Sequence, residues 1–358
     1  MEAISLFSGC GGDTLGLERA GFKVTGFNEF KSFAVNSHLA NFPESVLIKD
    51  GNNTDITKIP DSAFTPYKGR VQIVFAGFPC QGFSSAGKKK SNDPRNQMFR
   101  QFLRVAKAVR PQFIIGENVT GIQTMKSGPN ETDPLVLDII IKEFHDAGYQ
   151  IYHKLVEATD FGVPQKRKRV ILVGWNTWAN QAKRIEPESF WAAVSGFGQK
   201  LPSTIMRSFV TKSMEGAYLI PAAHVPDDFS DYALSISEDA EPTGTPHPYI
   251  VLKVNQGLLS CSKRVSPIHS EIVDLNRPCK TIICTYDHQP RLLVGLRKPS
   301  GACYCRCLLP DELKQVQGFP ADFILSGSKK DQVTQIGNAV PPAIIQSVAS
   351  CLKDILNS

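Results

Sequence analysis

The chain has 358 residues, 42% hydrophobic and 21% charged, with a formal net charge of +6 and a pI near 8.8. That balance excludes a disordered chain, fits one large or two ordinary globular domains, and contains no apolar run of the roughly 18 residues a membrane span needs. The start, Met1-Glu2-Ala3 running into a glycine-rich stretch, is not a secretory signal, so an intracellular protein, cytoplasmic or nuclear, is expected; the mild basicity permits a polyanionic partner without demonstrating one.

In chain order, residues 3–9 read as a strand and loop, 15–21 as a helix stopped at Gly21, and 23–29 as a second strand. A helical segment at 34–42 precedes a third, buried strand at 71–79. Residues 97–111 carry apolar positions at spacings of three and four and stop at Pro111, the pattern of an amphipathic helix. A strand at 113–119, a helix at 135–149 and a strand at 169–175 follow. This alternation predicts an α/β fold: a mostly parallel sheet with helices on both faces. From about residue 176 the periodicity breaks down, and turn formers such as those of 237–248 dominate, which reads as a smaller, irregular domain. Helical patterns return at 309–319 and 343–356. The expected division is 1–175 for the first domain, 176–300 for the second and a hinge, and 301–358 for a segment completing the first.

Gly9, Gly11 and Gly12 follow the first strand directly, with Gly16 one turn into the next helix. Glycines there let backbone approach a ligand at the carboxyl edge of the sheet, although tight strand-to-helix turns also use them structurally. Glu29 ends the second strand, 20 residues after Gly9, where a carboxylate can accept both hydroxyls of a ribose. Asp55 is a third acceptor or else a helix cap. The loop alone leaves NAD and S-adenosylmethionine both open.

Cys80 emerges after the third strand, behind Pro79 and ahead of Lys88, Lys89 and Lys90. A rigid, basic turn favours a thiolate, while a buried inert thiol is the ordinary alternative. Glu117 ends the next strand, either at the same edge or as a solvated strand end. In the 165–169 stretch, alternation sends Gln165, Arg167 and Arg169 one way and Lys166 and Lys168 the other, unless it is simply a charged turn. Cys303, Cys305 and Cys307 alternate, which puts them on one strand face and lacks the paired spacing of a zinc site.

The segments LFSGCGG, GFPCQGFSSAG, ENV, QKRKRVILVG and QGFP…QIGNAVPP, in this order, resemble the ordered motifs of the DNA (cytosine-5) methyltransferases. The resemblance covers nearly all of the chain except about residues 176–260. It implies a Rossmann-like S-adenosylmethionine-dependent methyltransferase fold with a target-recognition domain, acting on double-stranded DNA as a monomer without a membrane. Cys80 would attack C6 of a flipped-out cytosine, Glu117 would neutralise charge at N3, Arg169 would hold the base and Arg167 would support it. Phe7, Gly9, Gly11 and Gly12 would line the methionine side of the cofactor, and Glu29 the ribose. Phe30 would stack near adenine, with Asp55 and Ile56 at the adenine edge and Pro79, Met98, Asn338 and Val340 closing the pocket. Gln81, Ser84, Asn118 and Gln165 would touch substrate. Arg264, Arg277 and Lys280 would meet phosphates or be ordinary surface charge. A transfer-RNA cytosine-5 methyltransferase of the same fold is the alternative; its relatives tend to carry a second proline where Phe78 stands here.

Overall fold

The computed structural model describes residues 1–79, 98–178, 184–246, 252–255, 258–261, 271–287 and 290–358. The first lobe is built on strands β1 (Glu2–Leu6), β2 (Lys23–Asn28), β3 (Val46–Leu47), β4 (Val71–Ala76), β5 (Phe113–Asn118), β6 (Tyr149–Glu157) and β8 (Lys168–Asn176). A two-residue strand, β7 (Gln165–Lys166), lies just before β8. The sheet order is β3-β2-β1-β4-β5-β8-β6, parallel except that β8 runs antiparallel to both of its neighbours. Alternate residues feed alternate faces. Ile4, Leu6, Val74, Ala76 and Ile114 enter one core, and Ala3, Ile73, Phe75, Phe113 and Ile115 the other. Helices α1 (Gly12–Arg19), α2 (Ser32–Asn41), α3 (Met98–Val109), α4 (Val136–Asp146) and α5 (Pro187–Lys200) fill the crossovers and cover the sheet. In α3 the buried positions Phe99, Phe102, Leu103, Ala106 and Val109 form the stripe that its spacing predicts. The strand order reverses between β1 and β4, the place where open α/β sheets leave a crevice at the strands' carboxyl ends.

The second lobe holds a sheet of β9 (Tyr218–Leu219), β10 (Leu234–Ser235), β13 (Glu271–Ile272), β15 (Leu292–Arg297) and β16 (Cys303–Cys307), with a four-residue helix, α6 (Phe229–Tyr232), against it. A separate hairpin pairs β11 (Leu252–Asn255) with β12 (Leu258–Cys261). Strand β14 (Cys279–Lys280) pairs in parallel with β7, tying the lobes together. Helices α7 (Pro310–Val316) and α8 (Lys329–Asn338) lead to the last helix, α9 (Pro342–Asn357).

Two boundaries differ from the sequence reading. Helix α5 buries Phe190, Trp191 and Val194 in the same core as α9, so the first lobe continues past residue 176; short apolar runs between Gly196 and Gly198 and Pro187 hid it. After residue 300, β16, α7 and α8 belong to the second lobe: Tyr304, Leu313, Val316, Val333 and Ile336 join its core, while Phe319, Phe323, Val340 and α9 pack against the first. Within residues 329–357 one 18-residue window is apolar enough to cross a membrane, yet 56% of that window is buried within the protein, where α9 packs on α1 and α5.

Candidate active site

The carboxyl end of β1 turns sharply. Phe7 has φ +55°, a left-handed conformation uncommon outside glycine, and Gly9 and Gly11 follow at +55° and +95°. The glycines have distinct jobs. A Cβ on Gly9 would meet nothing within 4 Å, so this residue faces open space. A Cβ on Gly11 would lie 2.6 Å from the Phe42 ring, and one on Gly12 would lie 2.5 Å from the Val340 carbonyl. Gly11 and Gly12 are therefore required by packing, and Gly9 by the crevice.

Glu29 ends β2 beside this turn. Its Oε2 accepts the Gly9 N–H at 3.0 Å, and its Oε1 accepts those of Phe30 and Lys31, both at 2.8 Å. A carboxylate offers roughly four acceptor positions. With three in use, about one acceptor position of the Glu29 carboxylate stays open to the crevice. Phe30 is 65% exposed, which leaves an aromatic face free for a ring. Asp55 does cap the short helix at 56–58, accepting from the Thr57 N–H at 3.0 Å and its hydroxyl at 2.8 Å through Oδ1, while Oδ2 makes neither bond. Ile56 is buried, and Arg104 donates to its carbonyl at 2.8 Å, fixing this loop. Met98 opens α3 half-buried against the core. Asn338 is exposed at the end of α8, and Val340 is buried against Gly12.

Gly77, at the end of β4, brings the other half together. A Cβ there would stand 3.7 Å from Glu117 Oε2 and 3.9 Å from the Phe7 carbonyl. Asn118 donates to the Phe78 carbonyl at 3.2 Å, which pins the chain beside Pro79. Glu117 Oε1 pairs with Arg169 Nε at 2.7 Å, both side chains little exposed. Burial lowers the Arg169 pKa, and the Glu117 carboxylate opposes that shift. Cys80, Gln81, Ser84 and Arg264 lie outside the described residues.

Arg167 and Gln165 do not line this crevice. Arg167 is 1% exposed and donates to the carbonyls of Ile282 at 3.0 Å, Gly337 at 2.9 Å and Ala339 at 3.0 Å. Gln165 is fully buried: its amide donates to Gln317 Oε1 at 2.6 Å, and its carbonyl accepts the Ile282 N–H at 3.0 Å. The alternation predicted for 165–169 is present, with Lys166 and Lys168 exposed, but its inward side faces a junction between lobes. Lys280 pairs with Glu271 at 2.6 Å and Arg277 with Asp274 at 3.3 Å, so both cations already have local partners.

The sequence reading passed over Asp13 and His38. Asp13 is buried in the first turn of α1 and accepts the Ser5 hydroxyl; burial pushes its carboxyl up to about 7. His38 stacks on Phe27 with ring centroids 3.6 Å apart, and its Nε2 lies 3.0 Å from the Thr14 hydroxyl. Burial pushes its imidazole down to about 3. A charged residue directly after a Gly-Gly turn, on the inward side of a helix, was the available signal. Cys303 and Cys305 point into the small core behind β16, as their alternation suggests.

The family model for C-5 cytosine-specific DNA methylases matches residues 1–354. Type II methyltransferase M.FnuDI of Fusobacterium nucleatum is 36% identical over 99% of this chain and 95% of its own length. Type II methyltransferase M1.HphI of Haemophilus parahaemolyticus is 29% identical over 98% of this chain and 86% of its own. Among solved structures, the S. pombe Dnmt2 methyltransferase superposes with a TM-score of 0.62 at 15% identity, covering 100% of this chain and 98% of that one, a likeness of fold.

Proposed function

The chain belongs to the C-5 cytosine-specific DNA methylase family, and from that premise we propose that its crevice at β1 and β4 binds S-adenosylmethionine beside a cytosine flipped out of duplex DNA. The protein is a DNA (cytosine-5) methyltransferase, and the RNA alternative is set aside because the matched family and the type II relatives are DNA enzymes. One observation carries the site: Gly77 sits between Phe7, where the glycine turn begins, and Glu117, so a ligand of one half lies against the other. The residues fit the cofactor. Gly9 leaves space for its methionine portion, Glu29 keeps one acceptor for a ribose hydroxyl, Phe30 offers a face to adenine, and Asp55 Oδ2, 3.9 Å from the exposed Lys58 ammonium, would turn to an amine. When bound, the cofactor supplies an electrophilic methyl sulfonium.

On the DNA side, the Cys80 thiolate adds to C6 of the ring, which makes C5 nucleophilic enough to take the methyl group; loss of the C5 proton then expels the thiolate. Glu117, held by Arg169, meets the N3 edge of the ring, and Arg169 offers its remaining donors to O2. Asn118 holds the chain at Phe78, two residues before Cys80 in the sequence. The second lobe is the target-recognition part in this reading, and Lys280 and Arg277 would leave Glu271 and Asp274 to meet phosphates. Like its type II relatives, the enzyme would modify one short recognition sequence.

The test is Cys80→Ser. Methyl transfer to duplex DNA should fall by at least a thousandfold while calorimetric S-adenosylmethionine binding stays within about twofold of the parent. A duplex carrying 5-fluorocytosine should trap the parent enzyme covalently and leave the variant free. Appreciable turnover by the variant would refute the thiolate step.

A further inference from the structure

The helix that starts at Pro310-Asp311-Glu312 carries a buried lysine that the reaction itself does not need. Lys314 is 5% exposed on α7. Its Nζ donates to the carbonyls of Ala321 at 2.8 Å and Phe323 at 2.9 Å, and lies 3.0 Å from Asp311 Oδ1. The Asp311 side chain is 85% exposed, so the two carbonyls are the buried anchors. An ammonium is withdrawn from water without a large penalty only where its three donors are met, and here they are.

These carbonyls belong to a loop that is also tied to the cofactor side. Asn41 on α2 exchanges two hydrogen bonds with Ile324, at 2.8 and 2.9 Å, and the Ser37 hydroxyl accepts the Ser326 N–H at 2.7 Å. Phe319 and Phe323 pack ring to ring at 4.6 Å and share a small core with Cys10 and Phe42. Phe42 and Phe319 in turn press on Gly11 and Gly12, where a single added Cβ would fall 2.6 and 3.2 Å from their rings. Lys314 itself is anchored in the other lobe, because its neighbours Leu313 and Val316 are core residues there.

We propose that Lys314 is a positioning residue that clamps the 318–326 loop between the lobes and thereby sets the glycine turn for the cofactor. This rests on the assignment of S-adenosylmethionine to that turn. Because the aromatic wall has no slack, loosening the loop acts on the turn before it acts on the DNA side.

Lys314→Met keeps the aliphatic stem and removes the donors. Calorimetry should show the Kd for S-adenosylmethionine raised about tenfold, as expected for residues coupled through shared packing, with duplex affinity within twofold. The KM for the cofactor should rise likewise, while kcat at saturating cofactor stays near the parent value. Lys314→Arg, which restores donors, should recover part of the loss. In the unaltered enzyme, amide hydrogen exchange across 318–326 should slow when S-adenosylmethionine is added, a measurement that stands even if the methionine variant does not fold. Equal cofactor affinity in parent and variant, or unprotected 318–326 amides in a cofactor-saturated parent, overturns the proposal. A parent that binds no S-adenosylmethionine overturns the cofactor assignment and this inference with it.

Discussion

Two buried groups beside the glycine turn titrate in opposite senses. Asp13 has its folded pKa raised to about 7 from 3.8, so between those values the folded protein holds a proton that the unfolded chain has lost. Stability from Asp13 is therefore fully present below about pH 4 and is lost as pH rises towards 7. His38, lowered to about 3 from 6.5, does the reverse: the unfolded chain binds the extra proton, and stability grows as pH rises through that window. Asp13→Asn removes the first contribution and leaves the second. Denaturant unfolding should show the variant gaining on the parent by about 2–4 kcal/mol between pH 4 and pH 7. Parallel curves for the two proteins would show that folding does not raise the Asp13 pKa. Neither group was readable as a pair from sequence, because 25 positions and a strand separate them in the chain and only the Thr14 hydroxyl, next to Asp13 and 3.0 Å from His38 Nε2, links them.

At the scale of elements, the strand pair β7 and β8 divides its arginines between two tasks. Arg169 faces Glu117 at the crevice, and Arg167 fastens β7 to the segments at 282 and 337–339. Arg167→Met leaves three carbonyls without their donor and should cost about 3–5 kcal/mol in chemical unfolding. Arg169→Met should cost less stability and nearly all methyl transfer. Equal destabilisation by the two substitutions would show that the assignment of tasks is mistaken. The alternation that points both arginines one way was visible in the sequence. What they meet was not, because the partners of Arg167 lie 115, 170 and 172 residues further on. Strands β1, β2, β4, β5 and β8 of the first sheet were legible for the opposite reason: burial leaves apolar runs and the crossover helices leave a local 3.6-residue period, whereas β3, of two residues, and β6, exposed in its middle, gave no such run. In the second lobe, strands of two residues such as β9 and β13 leave no period to read, so its sheet emerged only with the structure.

For the molecule as a whole, the net charge of +6 is spread over cations that are often already paired, as Lys168 with Glu157, Lys280 with Glu271 and Arg277 with Asp274. Breaking such exposed pairs costs little, on the order of 0–1 kcal/mol, so they can be exchanged for phosphates. Duplex affinity should fall at least tenfold between about 50 and 200 mM salt, with a linear log–log slope. A flat dependence measured by fluorescence anisotropy would remove phosphate contacts from the account. The order of the chain through this architecture sets a schedule on its birth. Helix α1 lies so tightly on α9 that a methyl group on Gly16 would fall 2.5 Å from the Pro342 carbonyl. A ribosome makes α1 about 330 positions before α9, so the hydrophobic seat of the first helix stays vacant until α9 has been made. A nascent chain stalled short of residue 342 would hold α1 with one apolar face uncovered.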